Sequence, residues 1–324
     1  MALGEFDLIR RYFRRDDRPR NPAVALGIGD DCALLQTPPG MQLAVSSDML
    51  VEGRHFFPEV DPEALGHKAL AVNLSDLAAC GARPLAFTLA LSLPQADEAW
   101  LEGFARGLFA LADAHGCTLM GGDTTRGPLN LCITVFGEVP VGQALLRSGA
   151  RPGDQLWVSG SLGDARLALE ALQGTRVLAP DLLQTARLRL ERPTPRVSLG
   201  LALRGIASAA MDLSDGLAGD LGHMLQASGC GARIETALAA SLLKTPGVAL
   251  DDDARLSLVL AGGDDYELLF TAPASSSQAV VAAGLASNTP VTRIGRIEVE
   301  PGLRLVDASG QPVVGHHASF DHFA

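Results

Sequence analysis

Lysine is nearly missing from this chain. Of its 26 basic side chains only Lys68 and Lys244 are lysines, and 37 acids bring the net charge to −11. An acidic balance excludes a non-specific nucleic-acid binder, whose affinity rests on excess Lys and Arg against phosphate. Long apolar runs are missing too: none approaches the roughly 18 residues that a membrane span needs. The first twenty residues mix six arginines with four acids, unlike an apolar signal core or an acid-poor transit peptide. The five cysteines (Cys32, Cys80, Cys117, Cys132 and Cys230) include no C-x-x-C pair, which leaves redox and zinc chemistry without an anchor. Their odd number in a 324-residue chain fits reduced, mostly buried thiols in a cytoplasmic protein, while the charge and the missing apolar runs predict no nucleic-acid or membrane partner. Nucleotide-enzyme signatures are also absent: no P-loop, no Rossmann G-x-G-x-x-G, no protein-kinase H-R-D or D-F-G, and no G-x-S-x-G elbow.

What is present is a chain with ample core material. It is 47% hydrophobic and 19% charged, which excludes wholesale disorder, and its length suits two domains. Glu5–Arg14 reads as a short amphipathic helix, followed by a polar link over Asp16–Pro22. Strand patterns at Met41–Val45, Leu85–Leu93 and Leu129–Val139 alternate with helix patterns at Pro62–Cys80 and Asp97–His115. Pro140, Gly142, Gly149, Pro152 and Gly153 crowd together and set a boundary near residue 145. Beyond it come a strand at Gln155–Ser159, a Gly turn and a helix from Asp164 to about Leu172. A helical stretch (Asp181–Leu203) leads to a strand at Ala207–Met211 and a helix opened by Ser214. A helix at Ala254–Leu260, a strand at Glu267–Thr271, a helix at Gln278–Ala286 and a strand at Val291–Val299 follow. The fold class is mixed α/β, in two domains over 1–145 and 146–324.

Aspartates gather where glycine turns meet strands: Gly29-Asp30-Asp31, Ser46-Ser47-Asp48, Gly121-Gly122-Asp123-Thr124-Thr125, Asp212-Leu213-Ser214-Asp215-Gly216 and Gly262-Gly263-Asp264-Asp265. Each alone reads equally as turn chemistry or a helix cap. Asp76 is harder to dismiss, since it sits in the apolar helix Ala69–Ala78 and Lys68 is two turns away. Two carboxylates about 4 Å apart repel by roughly 4 kcal/mol at an effective dielectric of 20, so a convergent set needs cations. All-oxygen donors suit Mg²⁺, and neighbouring glycine turns expose N–H groups to phosphate. The turn Gly160-Ser161-Leu162-Gly163 reads either as a phosphate cradle or as an ordinary strand-to-helix turn.

Taken in order, these blocks resemble the thiamine-monophosphate kinase family, of the aminoimidazole-ribonucleotide-synthetase-like superfamily. The resemblance runs from Gly4-Glu5-Phe6-Asp7 through Ser47-Asp48-Met49-Leu50-Val51-Glu52-Gly53-Arg54-His55-Phe56 and His67–Ala79. It continues through the Gly121, Met211 and Gly262 blocks to Asp321-His322-Phe323. It implies ATP-dependent phosphorylation of thiamine monophosphate to thiamine diphosphate with several Mg²⁺ ions. It also implies a cytoplasmic homodimer whose N-terminal domains pair strands, and a C-terminal domain that completes the site. Asp30, Ser46, Ser47, Asp48, Asp76, Asp123, Asp212 and Asp215 would hold metal, and Gly122, Asp123, Arg147 and Ser214 would contact ATP. His55, Asp264 and Phe320 would face the substrate. Asp48, Asp123 and Arg147 are the expected catalytic residues. Asp264 stands where the family usually has Glu, and Phe104-Ala105-Arg106-Gly107 lacks the tyrosine sometimes found there. The alternatives are a ring-closing sister enzyme of the same superfamily and a non-catalytic nucleotide-binding regulator.

Overall fold

A computed structural model describes residues 5–15, 18–29 and 31–313. The chain divides into two compact units: residues up to Leu77 with Ala82–Gly142, and Ala78–Gly81 with Gln143 onward. No helix among the described residues is long and apolar enough to cross a membrane. All five cysteines are free, Cys117 and Cys230 are buried, and burial pushes the Cys117 thiol up.

In the first unit the expected N-terminal helix is short. A single turn, α1 (Glu5–Leu8), passes into a π-helical turn at Ile9–Phe13. Two short strands, β1 (Val24–Leu26) and β2 (Leu34–Leu35), pair antiparallel. Strand β3 (Met41–Val51) is followed by helix α2 (Pro62–Ala79), β4 (Arg83–Leu93) and helix α3 (Glu98–Ala114). Strands β5 (Thr118–Arg126) and β6 (Asn130–Pro140) complete the unit. Strands β3 to β6 form one sheet in the order β3-β6-β4-β5, parallel only between β4 and β5. The Asp97 carboxylate starts α3 by accepting from the amides of Ala99 (2.9 Å) and Trp100 (3.1 Å). Helices α2 and α3 touch backbone to backbone: a Cβ at Gly107 would lie 1.8 Å from the Glu63 carbonyl oxygen.

Two blocks that the sequence places at strand ends lie inside strands. The Ser46–Val51 stretch continues β3, because each residue from Met41 to Val51 pairs with one of β6 and the ladder overrides the polar side chains. The Gly121–Thr125 block lies inside β5, with Asp123 opposite Ala90 of β4. Gly122 is required there: φ is 149°, and a Cβ would fall 1.9 Å from the Leu89 carbonyl oxygen.

The second unit is built on a six-stranded sheet. Its elements are β7 (Gln155–Ser159), α4 (Asp164–Leu172), α5 (Pro180–Glu191), α6 (Val197–Ala202), β8 (Ala209–Leu213) and α7 (Leu217–Ser228). Next come β9 (Gly231–Glu235), α8 (Thr236–Ala240), α9 (Asp252–Ala261), β10 (Glu267–Ala272), α10 (Ser277–Ala286), β11 (Val291–Glu298) and β12 (Gly302–Val306). The strand order is β12-β9-β11-β7-β10-β8, antiparallel except between β12 and β9. Leu156 and Val158 of β7, Met211 and Leu213 of β8, and Ile234 of β9 share one core with Leu167 of α4, Leu221 of α7 and Val259 of α9. Helix α7 begins at Leu217, three residues later than the Ser214 start expected from sequence, and Gly216 at φ 113° takes the cap position.

Candidate active site

In the first unit Ser46 and Asp48 of β3 bond to residues of α2. The Ser46 hydroxyl donates a close hydrogen bond to Asp76 Oδ2. The Asp48 amide donates to Asn73 Oδ1 at 3.1 Å, and Asn73 is itself held by Ala69 O at 3.1 Å. Ser46 and Asp48, two apart on a strand, share a face, and the Ser46 hydroxyl ties Asp76 of α2 to that face. Such oxygen donors fit Mg²⁺. Ser47 points to the other face, within hydrogen-bond distance of Ile133 O (3.1 Å) and Thr134 Oγ1 (3.0 Å).

At the end of β3 the chain turns back, with His55 N donating to Val51 O at 2.9 Å. His55 Nδ1 accepts from the Val51 amide at 3.0 Å, which fixes the ring against the turn. Asp123 and Gly122 are exposed, and β5 is the edge of the sheet opposite β3. Three inter-strand spacings, roughly 14 Å, therefore separate the lines of Asp48 and Asp123 within one chain.

In the second unit, Asp212 lies near the end of β8 and is buried, while Ser214 and Asp215 in the following turn are half-buried. That turn is held from below by Asp220 of α7, whose Oδ2 accepts from the amides of Ser214 and Asp215, both at 3.1 Å. Burial pushes the Asp220 carboxyl up to about 6; the Asp215 amide opposes this and the Asp215 charge adds to it. The loop Gly262–Tyr266 docks on the same turn: Asp264 N donates to Ser214 O and Tyr266 N to Leu213 O, both at 2.8 Å. Asp264 is half-buried in a left-handed conformation, and Arg147 is exposed.

The turn after β7 resolves its two readings. Gly163 N donates to Asp265 Oδ2 at 2.8 Å, and Ser161 N lies 3.4 Å from Glu267 Oε1, so the protein's own carboxylates take these donors. The turn connects strand to helix and cradles no phosphate. Asp30 and Phe320 lie outside the described residues. Among the described residues no group of three or more His, Cys, Asp or Glu is placed to hold a metal ion. Of the residues expected to hold metal, the structure joins Ser46 to Asp76 by a hydrogen bond and keeps Asp123 at the far edge of the sheet. Asn73, Asp220 and Glu267 were missed from sequence. Asp220 carried a usable signal, being an acid inside the apolar run Leu217–Leu225, like Asp76 in α2.

The fold and these acid-bearing turns define the class. Residues 29–139 match the family model "AIR synthase related protein, N-terminal domain", and 151–308 match the corresponding C-terminal domain. The chain is 48% identical to the thiamine-monophosphate kinase of Salmonella typhimurium over 334 residues, covering 100% of this chain and 99% of that protein. A crystal structure of thiamine-monophosphate kinase from Stenotrophomonas maltophilia superposes with a TM-score of 0.84 at 46% identity, covering 97% of this chain and 99% of the other. A structure described as AaThiL complexed with AMPPCP and TMP is similar at a TM-score of 0.74 and 29% identity, with 87% and 88% covered. The chain belongs to the thiamine-monophosphate kinase family.

Proposed function

We propose that the protein transfers the γ-phosphoryl group of ATP to thiamine monophosphate, giving thiamine diphosphate and ADP, in the cytoplasm. The observation that carries this reading is identity at 48% along the whole chain with a thiamine-monophosphate kinase, joined to aspartates on the β3, β5 and β8 segments. The complex of a relative with AMPPCP and TMP supports ATP and thiamine monophosphate as the two substrates.

In this reading Asp30, Ser46, Ser47, Asp48, Asp76, Asp123, Asp212 and Asp215 hold Mg²⁺, and Gly122, Asp123, Arg147 and Ser214 bind ATP. Bound Mg²⁺ would neutralise charge on the attacking, transferred and leaving oxygens. The acceptor is a phosphate monoester with a second pKa near 6, so its oxygen is largely deprotonated at neutral pH. A general base is therefore unnecessary, and the protein's task is to align two anions in line. His55 faces the substrate phosphate, Arg147 supplies fixed positive charge, and Asp264 attracts the cationic ring of thiamine. Phe320 stacks on an aromatic ring of the substrate.

A homodimer belongs to the same proposal. Leu43, Val45, Met49 and Val51 alternate along the edge strand β3 and leave an apolar face exposed. Such an edge invites pairing with another copy. The test of function is transfer of label: [γ-³²P]ATP and thiamine monophosphate should yield labelled thiamine diphosphate. ATP hydrolysis with no label in that product would overturn the reading.

A further inference from the structure

The buried ion cluster beneath the Gly262–Tyr266 loop has no part in the chemistry above. Glu267 is fully buried, and its carboxylate meets two guanidinium groups. Arg189 Nη2 donates to Oε1 at 2.7 Å; Arg196 donates from Nε to Oε2 and from Nη2 to Oε1, both at 2.6 Å. Ser159 Oγ adds a bond to Oε2 at 2.6 Å and accepts from the Leu268 amide at 2.8 Å. A Cβ at Gly160 would lie 2.0 Å from Glu267 Oε1, so the turn after β7 closes on the carboxylate without room for a side chain.

The segment alternates. Asp265 and Glu267 point inward at 1% and 0% exposure, while Asp264 and Tyr266 are half-buried with positive φ of 66° and 50°. Left-handed backbone at a residue with a side chain is strained, and persists where the surroundings over-determine it. Here the inward residues are tied at both ends. Asp265 takes the Gly163 amide on its carboxyl and Arg189 Nη2 on its carbonyl (3.1 Å), and Glu267 is gripped by both arginines. A fully buried carboxylate paired with two partly buried guanidinium groups gains little net stability over an apolar replacement, so the cluster is better explained by the conformation it imposes.

We propose that Arg189, Arg196 and Glu267 form a clamp that positions Asp264 toward the acceptor substrate. The clamp rests on the reading of Asp264 as a substrate-facing residue. None of its three members touches substrate; they are positioning residues, acting through the backbone of the loop.

The test uses the full chain labelled with 3-fluorotyrosine, in which Tyr12 and Tyr266 are the only tyrosines. Glu267→Gln keeps the shape and removes the charge; Arg196→Lys keeps the charge and removes the two-pronged bond. The clamp predicts a displaced or broadened Tyr266 fluorine signal in both variants. It also predicts a KM for thiamine monophosphate raised about 10-fold, with kcat within about 3-fold and KM for ATP within about 2-fold. Should Glu267→Gln fail to fold, Arg196→Lys carries the same test. Folded variants with wild-type Tyr266 signal and unchanged KM would overturn the clamp, as would a loss confined to kcat that tracks the folded fraction. If the wild-type protein makes no thiamine diphosphate, the kinase reading fails, while the fluorine signal still judges the clamp.

Discussion

At the scale of single residues the molecule relies on carboxylates that hold backbone in place. Asp220 is the clearest, because two amides of the Ser214–Asp215 turn depend on one of its oxygens. Asp220→Ala leaves both amides without an acceptor and should destabilise by about 2–4 kcal/mol, while Asp220→Asn retains a carbonyl acceptor and should cost under about 1 kcal/mol. Urea titration of the two variants checks the difference. The pH dependence follows from the same residue. Its folded carboxyl is raised to about 6, so the native state holds a proton that the unfolded chain has lost between about 4 and 6. Metal-free protein should therefore lose stability as pH rises through that window, and Asp220→Asn should flatten the profile. In the first unit, Asp48→Ala should reduce thiamine diphosphate formation by at least about 100-fold with unchanged circular dichroism. A nearly active variant would remove Asp48 from the catalytic set. These residues were unequally legible. Asp48, Asp76 and Asp212 stood out as acids in apolar or strand settings. Glu267 did not, since its two arginines are 78 and 71 residues away and nothing local marks the pairing.

At the scale of elements, hydrophobic alternation located the long strands and helices, and the shortfalls have physical causes. Ser46–Asp48 and Gly121–Thr125 look like turns by composition, yet each lies in a ladder whose partner strand decides the conformation. Strands β1 and β2 have three and two residues, too short for a period to register. Glycine sets the α2–α3 contact. Gly107→Ala would drive a methyl into the Glu63 carbonyl, and overpacking of about 1–3 kcal/mol should outweigh the gain of roughly 1 kcal/mol in helix propensity. Gly222→Ala on α7, with nothing within 4 Å, should be neutral or stabilising. A lower urea midpoint for the first and not for the second is the expected pattern.

For the whole molecule, the acids that one chain keeps on opposite sheet edges are the reason to expect a second copy. Sedimentation should report twice 33.8 kDa, and Val45→Asp on the exposed face of β3 should shift the protein to the single-chain mass. A wild-type monomer would end the dimer proposal while leaving the reaction open. The reaction itself is tested most directly by the rate of thiamine diphosphate formation from Mg-ATP, with thiamine monophosphate and free thiamine compared as acceptors, in excess Mg²⁺ and in chelator. The account predicts product from the monophosphate alone and only with the metal present. Equal product without metal, or none from the monophosphate under saturating Mg-ATP, would contradict it.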